Sequence, residues 1–191
     1  MPPKIKIFKE NIIEAAFTLT RERGWEYINA RSLALQLACS TQPIFRVYKD
    51  MAELKRDLFS YAEGFYNEYI QGRINPDNIF LSIGMAYISF AKEEPNLFRM
   101  IFMNNHFKVN NFIEMTDGDE NAMIAAGIAA ANNIGIEDAR LLYAETWLFT
   151  HGIASMLVTN SCAFQEKETE QMLRNAFTGF LRQIREARGN G

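Results

Sequence analysis

The 191-residue sequence has few of the patterns that mark metal sites, redox sites or membrane segments. Its two cysteines, Cys39 and Cys162, are far apart in no metal-ligand or redox spacing, which predicts free thiols in a reducing compartment. The longest apolar run, Ala122 to Ala131, is about half of what a bilayer span requires. The N-terminus also lacks the apolar core of a signal peptide. We therefore expect a soluble, cytoplasmic protein that does not enter a membrane.

Motifs of catalysis and of ion binding are missing as well. There is no glycine-rich phosphate loop and no nucleophile elbow, and the spacing of His106, His151 and Cys162 does not favour a Cys–His pair. The acidic stretch from Thr116 to Glu120 lacks the ligand spacing of a calcium loop. These observations predict a protein that is not an enzyme and that holds neither a metal nor a cofactor.

Bulky apolar residues are plentiful, and charge is unevenly distributed. Fifteen Phe and nine Met exceed what a minimal core needs, which indicates a cavity or a large subunit interface, or alternatively a Phe-rich core. The net charge of −3 divides into +3 over residues 1–60, with ten Lys or Arg against seven Asp or Glu, and −6 over the remainder. This asymmetry fits an anionic partner at one end of the chain.

The hydrophobic pattern predicts an all-α fold of about nine helices. Apolar residues recur with a period of about 3.6 in almost every segment, and no segment alternates long enough to form a strand. The first helix should end at Arg23, with Gly24 as a left-handed cap. The further helices are expected over Ala30–Leu37, from a Ser40 cap to Tyr48, over Met51–Gln71, from Pro76 to Lys92, over Pro95–Met103, and over 121–133, 137–159 and 166–187.

The second and third of these helices have the spacing of a helix-turn-helix. Asn29 should cap the second helix, and Pro43 is tolerated in the first turn of the third helix because its missing N–H needs no intrahelical partner there. Three residues are expected to anchor the third helix, namely Ile44, Val47 and Tyr48. The other positions then face outward, where the second helix of such a motif meets the DNA major groove.

The outward residues have side chains suited to base edges. Gln42 can pair with adenine, Arg46 with guanine, and Phe45 can lie against a thymine methyl group or a sugar edge. Flanking residues would contact phosphates and set the register. The predicted DNA-binding residues are Asn29, Arg31, Thr41, Gln42, Pro43, Phe45, Arg46, Lys49 and Lys55, and the predicted partner is double-stranded DNA.

The stretch "IIEAAFTLTRERGWEYINARSLALQLACSTQPIFRVYKDMAELKRDLF" strongly resembles the tetracycline-repressor (TetR) family of bacterial transcriptional regulators. It departs from that family at four positions: Ala38 and Gln42 replace glycines, Phe45 replaces a tyrosine, and Met51 replaces a lysine that contacts phosphate. The resemblance implies a helix-turn-helix domain over residues 1–50 and a bundle for ligand binding and dimerisation over residues 51–191. It further implies a ligand-responsive repressor, released from a palindromic operator by a small, largely apolar effector.

Apolar positions on several sides of the last two helices indicate a homodimer contact, as the resemblance also implies. Two further windows, "ISFAKEEPNLFRMIFM" and "YAETWLFTHGIASMLV", are similar to a TetR subgroup named for its Trp…His-Gly pattern, here Trp147, His151 and Gly152. Trp147 and His151 share a helix face, where they either line a pocket or pack in a core. The candidate ligand-binding residues are Phe98, Phe102, Met103, Phe107, Phe112, Met115, Trp147 and His151.

A second hypothesis comes from a different class of protein. The chain could be a helical protein that carries or senses an apolar molecule and uses its N-terminal helices to bind a protein partner. Substitution of Thr41, Gln42 and Arg46 separates the two hypotheses, because a protein partner would still bind without nucleic acid.

Overall fold

The computed structural model describes residues 7–104, 114 and 118–189. These residues form nine α-helices and no strand, which confirms the predicted all-α fold. No helix in the described ranges is long and apolar enough to cross a membrane. The helices are α1 (Lys9–Arg23), α2 (Ala30–Gln36), α3 (Gln42–Val47), α4 (Met51–Gln71), α5 (Ile79–Glu93), α6 (Pro95–Phe102), α7 (Asp119–Asn132), α8 (Ile136–Val158) and α9 (Glu166–Gly189).

The chain forms two compact units. The first contains the described residues 7–69 and 94–104, and the second contains the described residues from 70 to 93 and beyond 104. The first unit therefore combines the helix-turn-helix with most of α4 and with α6. The functional division into residues 1–50 and 51–191 stays a prediction.

The core of the first unit is centred on α1. Ile12 and Ala16 are fully buried, and the Phe17 ring packs edge-to-face against Tyr61 and Phe65 of α4 with centroid distances of 5.1 Å. Helix α6 lies against α1. It buries Leu97, Phe98, Met100 and Ile101.

The second unit is built around α8, which packs against α5, α7 and α9. A methyl group added at Gly84 of α5 would lie 3.1 Å from Leu173 Cδ1 of α9, so this glycine permits close helix contact. Thr146 and Thr150 are buried in α8, and each hydroxyl donates to the carbonyl four residues earlier. One core cluster consists of Ile128, Ala139, Leu142, Tyr143, Leu181 and Ile184.

The structure differs from the predicted cap at the end of α1 and from the predicted start of α5. Gly24 has a positive φ of 92°, which favours glycine, but its ψ of 163° lies outside the left-handed helical region of the predicted cap. The segment after Asn75 begins as a 3-10 turn over Pro76–Asn78, and α5 follows it. The predicted helix α4, by contrast, is confirmed from Met51 to Gln71.

The predicted Ser40 cap of the third helix is wrong. Helix α3 begins at Gln42, and the Thr41 carbonyl accepts the first bonds, from the amides of Ile44 at 3.2 Å and Phe45 at 3.4 Å. Pro43 is the second helical residue and has no N–H, so it removes one of the donors that a capping side chain would satisfy. Pro43 still lies in the first turn, as predicted.

Candidate nucleic-acid interface

Helix α2 starts from a reciprocal cap at Asn29. The Asn29 Oδ1 atom accepts bonds from the amides of Arg31 and Ser32, both at 3.0 Å, and the Ser32 hydroxyl accepts from the Asn29 amide at 3.1 Å. The Asn29 side-chain nitrogen donates to the Tyr27 carbonyl at 3.1 Å. Asn29 is therefore confirmed as the cap, while the side chain of Arg31 is exposed beside it.

The turn between α2 and α3 is held in a left-handed conformation. Ala38 has φ 49°, its amide donates to Leu35 O at 3.1 Å, and the Cys39 amide donates to Ala34 O at 2.9 Å. These are the two bonds of a Schellman motif, in which glycine is the usual residue at the left-handed position. Alanine therefore holds this turn at a cost in backbone strain. Burial raises the pKa of the adjacent Cys39 thiol.

Helix α3 separates its side chains as the sequence predicts. Ile44 and Tyr48 are buried, with 0% and 1% of their surface exposed, whereas Gln42 and Arg46 are exposed and Phe45 is 48% exposed. Two other predicted contact residues, Thr41 and Pro43, are half-buried, as is the predicted anchor Val47.

Tyr48 joins the end of α3 to two neighbouring helices. The Lys9 ammonium of α1 lies 2.5 Å from Asp57 Oδ2 of α4 and 5.5 Å from the centroid of the Tyr48 ring. The Tyr48 hydroxyl is buried without a hydrogen bond of normal geometry, and burial together with the charge of Asp57 raises its pKa. These contacts fix the end of α3 relative to α1 and α4. Sequence reasoning missed them because the three residues are distant in the chain.

The start of α4 is capped by its own carboxylates. Glu53 accepts a bond from the Lys49 amide at 2.7 Å, and Asp50 accepts one from the Glu53 amide at 2.8 Å, which holds the pKa of Asp50 below its usual range. The Lys49 side chain itself is exposed. Lys55 is half-buried, with its ammonium 4.9 Å from the centroid of the Trp25 ring. All nine predicted DNA-binding residues thus lie in the first unit.

A second ionic contact that the sequence did not reveal joins α1 to α6. The Arg21 guanidinium donates to both carboxylate oxygens of Glu94, from Nε at 2.8 Å and also from Nη2, and it lies over Phe17 and Phe65. The Arg21 carbonyl accepts a bond from Asn96 at 2.8 Å. Glu94 directly precedes α6, so this pair fixes the start of α6 against α1. The signal in the sequence is weak because 73 positions separate the two charges.

The candidate ligand-binding residues do not all lie in one unit. In the first unit Phe98 is fully buried, the Phe102 ring packs against Phe98 and Tyr66 at 5.1 Å, and Met103 is 42% exposed. Phe107, Phe112 and Met115 lie outside the described residues.

Trp147 and His151 lie in the second unit. Their rings stack with a centroid distance of 4.9 Å and an interplanar angle of 8°, and His151 Nδ1 shares a hydrogen bond of 2.8 Å with the Tyr87 hydroxyl. Burial lowers the pKa of His151. A role in ligand binding stays a prediction for all eight candidates.

This all-helical protein contains a helix-turn-helix whose short second helix exposes one face to solvent. Helix-turn-helix proteins are a class of DNA-binding proteins that use this second helix to contact DNA. Comparison with known proteins specifies the family. Residues 80–180 match the model of the tetracyclin repressor-like C-terminal domain, and an uncharacterized HTH-type transcriptional regulator of Mycobacterium tuberculosis is 23% identical over 168 residues, covering 81% of this chain and 72% of that protein. The chain belongs to the TetR family. It is a transcriptional regulator of that family and not an enzyme.

Proposed function

We propose that this protein is a homodimeric, cytoplasmic repressor that binds a palindromic operator through α3 and leaves it when a small, largely apolar effector binds. One observation carries the proposal. Helix α3 buries Ile44 and Tyr48 and exposes Gln42, Phe45 and Arg46, the arrangement by which the second helix of this motif meets the major groove. Family membership supports the regulator and gives no support to the alternative, a carrier of apolar molecules.

Phosphate contacts would set the register of α3 in the groove. Arg31 and Lys49, which precede and follow α3 in the chain, are exposed and suit this role. Asn29 and Lys55 already have internal contacts, and they would have to reach phosphate from those positions. Asp50 and Glu53 hold the amides at the start of α4, so phosphate binding there should depend on the lysine side chains.

Dimerisation through α8 and α9 is the second part of the proposal. Leu148 and Met156 of α8 are 51% and 42% exposed, and Gly152 lies between them with open space where a side chain would project. Gly179 of α9 is also exposed and open. Two copies related by a two-fold axis would place two α3 helices for half-sites about 34 Å apart or a multiple of that distance.

Effector binding is the third part. We assign Trp147 and His151 as effector contacts, because the stacked pair is half-buried and combines an apolar surface with a polar group. We also assign the protein to the Trp-His-Gly subgroup. The effector can weaken DNA binding by no more than the difference between its binding free energies for the two conformations. This coupling free energy is typically about 1–3 kcal/mol. Native mass spectrometry of the purified protein tests for a retained apolar molecule.

Fluorescence anisotropy with DNA from upstream of the protein's own gene tests operator binding. Arg46→Ala and Gln42→Ala should each weaken specific binding by about 1–3 kcal/mol per lost bidentate base contact. Lys49→Ala should instead weaken binding to all sequences and lower the log–log salt slope by about 0.9 for each lost phosphate contact.

Arg73→Ala is the matched control, because it removes an equal charge from the second unit, where Arg73 pairs with Glu93 at 3.5 Å. It should leave operator affinity unchanged. Binding that ignores salt, or that Arg46→Ala and Arg73→Ala weaken equally, contradicts the proposed interface.

A further inference from the structure

We infer that Phe45 recognises the C5-methyl group of a pyrimidine in the major groove of the operator half-site, an inference that rests on the proposed DNA-binding function. The ring is 48% exposed in the middle of α3. Gln42 precedes it by three residues and Arg46 follows it directly, and both are exposed. Phe45 is therefore an apolar group beside two polar groups on the exposed side of the helix.

The fold itself makes little use of the Phe45 ring. The inner face of α3 is formed by Ile44 and Tyr48, which are 0% and 1% exposed. Within the described residues, the Phe45 ring takes part in no aromatic or cation–π contact. About half of the residue is therefore open to a partner, and no aromatic or cationic contact within the described residues occupies its ring.

The chemistry of the groove restricts what such a ring can recognise. Phe45 has neither a donor nor an acceptor, so it cannot bond a phosphate or the polar atoms of a base edge. The one apolar group that base edges present in the major groove is the methyl on C5 of thymine. The same methyl group is present in 5-methylcytosine, which makes both pyrimidines candidates for this position.

The first experiment replaces each thymine of the bound operator by deoxyuridine, which removes only the methyl group. At one position in each half-site, this replacement should weaken binding about fourfold, which is the effect of losing the burial of one methyl-sized apolar group. Phe45→Ala should still fold, because Ile44 and Tyr48 form the inner face of α3, and it should bind the unmodified operator more weakly. It should bind the thymine and deoxyuridine operators equally at that position, whereas Phe45→Leu should retain part of the difference.

The second experiment distinguishes the two sources of the methyl group. The sensitive base pair is replaced by cytosine–guanine, with and without a methyl group on cytosine C5. The wild-type protein should bind the methylated duplex about fourfold more tightly per half-site, and Phe45→Ala should not. A preference for thymine over 5-methylcytosine would assign the natural partner to thymine.

Two results overturn the inference while the proposed function stands. One is an operator in which neither the loss of any thymine methyl nor C5-methylation of any cytosine changes binding, and the other is a deoxyuridine penalty that persists in Phe45→Ala. The first of these results would assign the ring to a sugar edge. If the wild-type protein binds no operator at all, the proposed function fails, and this inference fails with it.

Discussion

At the scale of single residues, Ala38 has a backbone conformation that its side chain disfavours. Its φ of 49° lies in the left-handed region, which costs an L-residue roughly 1–2 kcal/mol. Ala38→Gly removes that cost but gives the unfolded chain more freedom, worth about 0.4–1 kcal/mol in the opposite direction. We expect a net gain in the free energy of unfolding of about 0.5–1 kcal/mol, measured by urea denaturation.

Asn160→Gly is the matched control for Ala38→Gly. Asn160 has φ 54° and ends α8 with the same pair of bonds, since its amide donates to Leu157 O at 3.1 Å and the next amide, of Ser161, donates to Met156 O at 2.9 Å. Asparagine tolerates this conformation better than alanine does, so the gain there should be smaller. A gain at Asn160 equal to that at Ala38 would show that the strain does not depend on the side chain.

His151 predicts a pH dependence of stability. Burial lowers its folded pKa below the value of about 6.5 for an exposed histidine, so the unfolded chain takes up a proton more readily. The contribution of neutral His151 to the free energy of unfolding is complete above about pH 6.5. It declines as the pH falls from there through the pKa of His151 in the folded protein. Urea denaturation at several pH values should show this decline in the wild type, and His151→Gln should reduce it.

The stacked Trp147 ring provides a second measurement of the same titration. Protonation of His151 places a positive charge against the indole, so the tryptophan emission should change over the same acidic range. Trp25 lies near a different cation, Lys55, and its emission should not change over this pH range. An emission profile that is unchanged in His151→Gln contradicts the assignment to His151.

At the scale of secondary-structure elements, the Arg21–Glu94 pair holds the start of α6 against α1. The Glu94 side chain is only 11% exposed, whereas that of Arg21 is 45% exposed and partly screened by water. Glu94→Gln should therefore destabilise the first unit by about 1 kcal/mol in urea denaturation. Glu186→Gln serves as the control, because Glu186 pairs with an exposed arginine within a single helix and its loss should leave the midpoint unchanged.

Helix positions follow from the sequence far better than helix ends do. Periodicity and turn residues predict α4 correctly at both ends, because Asp50 and Gln71 border a single apolar stripe. The prediction of Ser40 as the cap was wrong by one residue. The preceding turn at Ala38 is a Schellman motif, which the preferences of single side chains do not predict, and α3 is shifted by one residue after it. Such shifts depend on backbone geometry that single residues do not specify.

The exposed face of α3 was predictable because it depends only on helical periodicity. The separation of Ile44 and Tyr48 from Gln42 and Arg46 needs only the helical period of a short segment. The contacts that position this segment, such as Lys9 with Asp57, join residues far apart in the chain and have no periodic signature. Sequence reasoning therefore predicts the face of α3 but not the contacts that hold it.

At the scale of the whole molecule, the distribution of exposed apolar side chains supports the proposed dimer contact through α8. Helix α8 buries one side against its neighbours, yet Leu148 and Met156 remain largely exposed. A helix that is apolar on more than one side needs a second partner. Gly152, between them, would let another helix approach closely, because no side chain projects from it.

Gly152→Arg should therefore convert the proposed dimer to a monomer. Gly127→Arg is the matched control: Gly127 is exposed in the middle of α7 and also has open space around it. Both substitutions exchange a mid-helix glycine for a residue that favours helix by about 0.8 kcal/mol, so neither should unfold the monomer. Size-exclusion chromatography with light scattering should give 21.9 kDa for Gly152→Arg and twice that mass for Gly127→Arg and the wild type.

Operator binding should follow the same division. A palindromic operator is bound tightly only when two α3 helices are joined in one particle, so Gly152→Arg should lose high-affinity binding while keeping Gln42 and Arg46 intact. A single half-site should still bind weakly to this variant, with the affinity of one α3 helix. If Gly152→Arg remains a dimer that binds the full operator, the subunits meet through a surface other than this part of α8.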